Sequence, residues 1–408
     1  MTTSSSISGS PVGSPTNSNQ RSRRKWRAVP THRHTIGAFR EGAQPFQPPW
    51  CIISLKYDAK VNTALCIAEG SSLNILLHME DPPLDQSDTA KTPSAGAKTK
   101  SFNSIYRIDL TEVIGSETRI CCLASCKTPA SWIVIGLESG APIIVDIETQ
   151  RVVCAYQPPK GSGEVCSIAT SNDRMFATGH STGEVLVWSY AFSASDDREG
   201  DDEKLRADGF KDDVAQEEVH RDQPIAVVPK IAGRVTAMAF QFEKLAVTSK
   251  SGYLSVVSVQ RDSNHKIDSS NSVGGVSRAV DYGEALCVSW SGPSVVVTGG
   301  EDDLVWIHLV SSDPVERREL RGHNCFVTGL FILKGRSESP DFRDMISCGL
   351  DGRLILWLQN KSKEILHEEG ESFYGLEGRG AAVYTIGVDG SGKWSLNRYV
   401  IDPDIWNN

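Results

Sequence analysis

Apolar positions along this chain come in runs of four to eight residues cut by Gly, Asp and Ser, and helical spacing of useful length is scarce. The clearest block spans 285–359: ALCVSW, SGPS, VVVTGGEDDLVWIHLV, a link SSDPVERRELRGH, then NCFVTGLFI and DMISCGLDGRLILWLQ. Each half is an apolar run, a tight Gly/Asp turn and a second β-rich run ending in an aromatic or an imidazole, which predicts antiparallel hairpins. The unit recurs at 51–78, 120–148, 164–190 and 234–260, and in degraded form at 381–400. With the two copies in 285–359 this makes seven.

The copy ending at Trp357 also carries Gly322-His323 at its head and Asp351 in its turn. That is the layout of a WD repeat, one four-stranded blade with its markers roughly 40–45 residues apart. One such sheet exposes an apolar face, and stacking seven around an axis buries those faces and protects the edges. The pattern therefore predicts an all-β, seven-bladed propeller over 26–408, preceded by a disordered tail at 1–25. The seventh unit lacks a fourth strand of its own. A segment within 26–40 and a C-terminal strand through 401–406 are the two candidates to supply it.

Two polar inserts interrupt the repeats, at 79–102 and 191–222. The chain carries −9, while Asp196 to Asp222 holds 12 acidic against 5 basic residues and so −7 by itself. The folded body is thus near neutral, which argues against a general nucleic-acid surface. Arg21, Arg23, Arg24, Lys25 and Arg27 form a basic run with no acid before it, read either as a solvated tail or as a nuclear-localisation signal. Ten cysteines in 408 residues are too sparse for a disulfide scaffold, and Cys121, Cys122 and Cys126 lack a second ligand pair for a metal. No apolar run is long enough for a helical membrane span. The expected setting is cytoplasmic or nuclear, with no cofactor and no metal.

His323, Ser347 and Asp351 invite a catalytic-triad reading. With Trp357 they read instead as a structural network tying the blade's outer link to its inner strands. GVDGSGKW (387–394) nearly spells a P-loop, but Trp394 stands where Ser or Thr must hold Mg²⁺, and a strand follows rather than a helix. What remains is a surface for protein partners. Aromatic anchors are expected at Tyr282, ahead of ALCVSW, and at Phe326, ahead of VTGLFI, on one side of the ring. His180, Arg234 and Trp306 are further surface candidates.

SGYLSVVSV, YGEALCVSWSGPSVVVTGGEDDLV and RGHNCFVTGL, with DGRLILW after them, make the stretch 235–360 resemble the family of WD repeat-containing protein 20 and its fungal counterpart CreC. The block Thr298–Val305 is the most specific part. Departures are Tyr282-Gly283-Glu284 in place of an aromatic-Gly-Gly, and His308 in place of Trp. The resemblance implies a non-catalytic cofactor that binds a ubiquitin-specific protease and raises its activity, with Tyr282 and Phe326 at the docking positions and further WD-repeat proteins as additional partners. The alternative is a substrate receptor of a ubiquitin ligase or another WD-repeat scaffold. A ligase adaptor ordinarily shows Asp-x-Arg after the terminal Trp-Asp, and WLQNK (357–361) does not.

Overall fold

The computed structural model describes residues 28–35, 49–57, 60–77, 102–172, 174–190, 223–261, 267–268, 274–312, 314–333, 343–358, 361–379 and 382–401. The tail at 1–25, the basic run, the insert at 191–222 and all but the last residue of 79–102 lie outside them. Seven four-stranded antiparallel sheets form seven blades. The first strand of each is innermost: Trp50–Tyr57, Ile120–Ser125, Val165–Thr170, Val235–Gln241, Ala285–Gly292, Val327–Ile332 and Glu371–Arg379. First strands of successive blades pack on one another from blade 1 to blade 7.

The seventh sheet is closed from the N-terminal side. Ala28–Thr35 pairs antiparallel with Trp394–Ile401, from Ala28 opposite Ile401 to Thr35 opposite Ser395. Arg33 adds an ion pair to Glu371 at 2.7 Å, and Arg398 donates to Thr31 at 2.8 Å. Both chain ends thus share one sheet, so opening the ring requires stripping a whole strand. At the seam with blade 1 the Ile52 N–H donates to the Glu377 carboxylate at 2.9 Å, and Arg379 bonds Ser54. A shared apolar cluster of Trp50, Ile52, Leu65, Ala382, Ile386 and Leu396 joins the two blades.

Blade-to-blade packing follows from sequence at two recurring places. Gly179 and Gly299 stand next to last in second strands, where a Cβ would run into the first valine of the next blade, Val235 and Val327 respectively, so only glycine lets those sheets approach. The first strand carries a β-bulge one residue in for blades 2 to 6, at Cys121, Cys166, Thr236, Leu286 and Thr328, and three residues in for blade 7, at Tyr374. A bulge bends the strand and raises its twist, which suits a strand that must both line a channel and turn into a radial sheet. The cores between blades are Val, Ile and Leu with a few large rings, Trp188, Phe176 and Trp357 among them, all buried. Each such side chain stabilises the fold by roughly 1.5–3 kcal/mol through removal from water.

GVDGSGKW is a hairpin turn between Ala382–Asp389 and Trp394–Ile401. Asp389 accepts from the N–H groups of Ser391 and Lys393 at 2.9 and 3.0 Å, and Gly392 supplies the positive φ of 79°. All ten cysteines are free thiols. Among the described residues no three His, Cys, Asp or Glu side chains gather as a metal site, and no helix is long and apolar enough to cross a membrane.

Candidate protein-interaction rim

The links that lead into the first strands emerge together at one end of the ring. A backbone bond repeated in five blades aligns them. The residue just ahead of the first strand offers its carbonyl to the N–H of the residue just after the second strand: Arg119 to Glu138, Glu164 to Ser181, Arg234 to Lys250, Glu284 to Glu301 and Phe326 to Leu350, at 2.8–3.1 Å. These five residues therefore hold equivalent places on the rim. Four are charged and alternate in sign. Glu164 pairs with Arg119 at 3.6 Å and with Arg234 at 3.4 Å, and Lys250 pairs with Glu284 at 3.1 Å. Exposed pairs of this kind stabilise little, but they fix side chains along an arc from blade 2 to blade 5. Phe326 in blade 6 breaks the series with a partly buried ring.

Below Phe326 the blade-6 network is complete. The Trp357 indole N–H donates to Ser347 Oγ at 2.8 Å, the hydroxyl meets His323 Nε2 at 2.7 Å, and His323 Nδ1 faces the Asp351 carboxylate at 3.0 Å. The Asp351 carboxylate can only accept, so Nδ1 carries the hydrogen; Nε2 of the neutral ring is then an acceptor, and the Ser347 hydroxyl, which accepts from the indole, gives its own proton to Nε2. Asp351 also accepts from the Asn324 and Arg353 N–H groups at 2.9 and 3.2 Å. Burial disfavours its charge, yet the bonds from His323, Asn324 and Arg353 outweigh that and hold the carboxyl below its ordinary value. Ser347 is fully buried. Its oxygen is engaged by the indole and out of reach of any substrate, so the four residues are a brace and not a nucleophile.

Blades 3 and 5 vary the scheme. In blade 3, Trp188 donates to Thr178 Oγ1 at 2.9 Å, and Thr178 meets His180 Nε2 at 2.9 Å while His180 Nδ1 donates to the Gly163 carbonyl at 2.8 Å. His180, expected at the surface, is wholly buried, and burial lowers its pKa. It leaves the list of surface candidates because its ring completes a core network. In blade 5 the Trp position is His308, whose Nε2 meets Thr298 Oγ1 at 2.8 Å while that hydroxyl donates to the Ala279 carbonyl at 2.5 Å. Burial, together with the nearby Arg317 charge, pushes His308 down to about 3. Trp306, also expected at the surface, is 7 % exposed. Its indole donates to Asp302 at 2.7 Å, and the Arg317 guanidinium lies 4.0 Å from its ring centroid. Buried, with its N–H bonded and one face under Arg317, Trp306 has little to offer a partner directly.

Tyr282 is 61 % exposed, in the link just ahead of Ala285–Gly292. The repeated bond aligns Phe326 with Glu284, so Tyr282 stands two residues ahead of Phe326's equivalent rather than at the same offset. Both still belong to links at the same end of neighbouring blades. Arg234 lies on that rim, partly exposed and engaged with Glu164. The alternating arc itself, with Arg119, Glu164 and Glu284, was not foreseen. Its signal was available, since each member directly precedes an apolar first strand.

No family model matches the chain, and no curated protein does. Among solved structures, a chain from a crystal structure of a mitotic checkpoint complex shares the fold at TM-score 0.59 and 11 % identity, over 98 % of each chain. The likeness is one of fold: the architecture is that of a seven-bladed β-propeller.

Proposed function

We propose that the protein is a non-catalytic scaffold that docks a ubiquitin-specific protease on the blade 5–6 sector of its link rim and raises that protease's activity. The observation that carries the docking reading is Tyr282, a large aromatic held 61 % exposed on the rim next to the blade that presents Phe326. Rings in such places bury much area at small entropy cost. The similar chain in the mitotic checkpoint complex belongs to a multi-protein assembly, which fits a propeller that works through protein contacts. The choice of protease rests on the resemblance carried by Thr298–Val305 and the runs around it. Binding would raise activity by favouring the competent arrangement of the protease's active site, to the extent of its differential affinity for that state. Affinity capture from the native cell with mass spectrometry tests this. Recovery of a ubiquitin-specific protease, lost on Tyr282→Ala with Phe326→Ala, is the expected result. Recovery of ligase subunits alone would overturn it.

A further inference from the structure

In blade 6 the link is held by Asp351 and His323, but blade 5 has no His in its link and uses a different arrangement. The Asp281 N–H donates to Asp302 Oδ2 at 2.7 Å, and the Trp306 indole donates to the same oxygen at 2.7 Å. Arg317 covers the Trp306 ring at 4.0 Å and reaches back to the Asp281 carboxylate at 3.2 Å. Asp281, Asp302, Trp306 and Arg317 thus close a loop of contacts around the base of the link. On the far side of Tyr282, Gly283 takes a φ of 75° and the Glu284 N–H donates to Glu301 at 3.0 Å, while Lys250 pairs with Glu284. Both neighbours of the exposed ring are therefore fixed, and the ring itself is not.

This arrangement is not what packing alone would select. It leaves His308 Nδ1 and Arg317 Nε buried without a hydrogen bond, and it puts an imidazole where blades 3 and 6 bury a whole indole. Unpaired buried polar atoms are uncommon and ask for a reason. What blade 5 gains is a link held by a side-chain brace of its own.

We infer that Asp302, Trp306 and Arg317 are positioning residues, which hold link 279–284 so that Tyr282 is presented to a partner already ordered. The inference deepens the docking reading above and rests on it for the identity of the partner. Ordering before contact removes part of the entropy cost of binding, the usual origin of affinity in a preformed anchor.

The test is hydrogen exchange on the full chain carrying Trp306→Phe, which keeps the ring under Arg317 and removes the N–H, and separately Asp281→Asn, a milder change on a half-exposed side chain. Amides of 281–284 should exchange about tenfold faster in each variant, while the Asn324 amide in blade 6 keeps its wild-type rate. In a double-mutant cycle against the protease recovered by affinity capture, the affinity lost in either variant should vanish when Tyr282 is already Ala. Unchanged exchange at 281–284 in both variants overturns the inference even if the partner still binds. So does an affinity loss that persists in the Tyr282→Ala background. Faster exchange confined to this link with no protease captured would sustain the positioning role and overturn the proposed partner.

Discussion

His180 and His323 reach the same place in their blades from different points of the chain. Each turns Nε2 to a hydroxyl, Thr178 at 2.9 Å and Ser347 at 2.7 Å, which in turn accepts from an indole ten residues on, Trp188 or Trp357. His323 comes from the link, whereas His180 comes from the end of the second strand, the place held in blade 6 by Gly349. A Cβ on Gly349 would stand 2.7 Å from the Phe326 carbonyl oxygen and 2.9 Å from both Asp351 Oδ1 and His323 Nδ1, so blade 6 as built takes its imidazole from the link. Blades 3 and 6 thus build the same buried chain of Trp, hydroxyl and imidazole from two origins of the imidazole.

That equivalence can be tested by transplantation. His323→Ala should cost about 2–4 kcal/mol in urea unfolding, because Ser347 and Asp351 lose a buried partner. Adding Gly349→His in the same chain builds blade 6 on the blade-3 plan and should recover part of that loss once the Phe326 carbonyl, 2.7 Å from the new Cβ, shifts to admit it. A double variant no more stable than the single one would show that the link origin matters after all.

His308 predicts a slope on the acid side. Its pKa, about 3 when folded, lies below the ordinary 6.5, so the unfolded chain binds the extra proton between those values. Stability should therefore fall as pH drops from about 6.5 toward 3, by up to roughly 1.4 kcal/mol per unit from this group. His308→Phe should flatten that part of the profile in denaturant titrations at pH 4, 5, 6 and 7.

Glu377 predicts the opposite sign at higher pH. Burial at the seam raises its carboxyl to about 7, against the help of the Ile52 N–H and the Lys127 charge. The folded protein therefore holds this proton more tightly than the unfolded chain, and stability is lost as pH rises from about 4.5 through 7. Glu377→Gln keeps an oxygen for Ile52 and removes the charge. It should gain on the order of 1–2 kcal/mol at pH 8 and little at pH 4.5, read by the same titrations.

Removal of residues 1–35 should lower the melting temperature by about 10 °C or more, since blade 7 would lose its outer strand and the Arg33–Glu371 pair at once. Scanning calorimetry reads this, and a truncated chain melting within two or three degrees of the full one would remove the strand from the closure.

Much of this was legible in the sequence, for a reason that also marks where it stopped. Second and third strands lie buried on both faces between blades, so VVVTGG or RLILW shows as an apolar run with a turn beside it. The innermost strand of blade 7, ESFYGLEGR, has one face on the channel and seam, so Glu377 and Arg379 interleave with Phe373 and Leu376 and the run does not stand out. Trp306 read as a surface ring because the usual Trp place two residues on is His308. Its bond to Asp302 crosses only four residues, and nothing in the local pattern announces the bond. His180 sits among Gly, Ser and Thr like any turn residue, and only the second-strand register shows it turned inward. The ion pairs of Glu164 join residues 45 and 70 apart in sequence, and they exist because the ring brings three blades side by side.

The most direct measurement is the dissociation constant of the captured protease for full-length protein against the Tyr282→Ala, Phe326→Ala double variant, with Phe242→Ala as a control. Phe242 is 70 % exposed at the turn between the first and second strands of blade 4, at the opposite end of the ring. The account predicts a loss of more than about 2 kcal/mol for the double variant, or roughly thirtyfold, with stimulation of ubiquitin-conjugate cleavage lost in parallel and the Phe242 control unchanged. Wild-type affinity in the double variant, or cleavage by the isolated propeller, would contradict it.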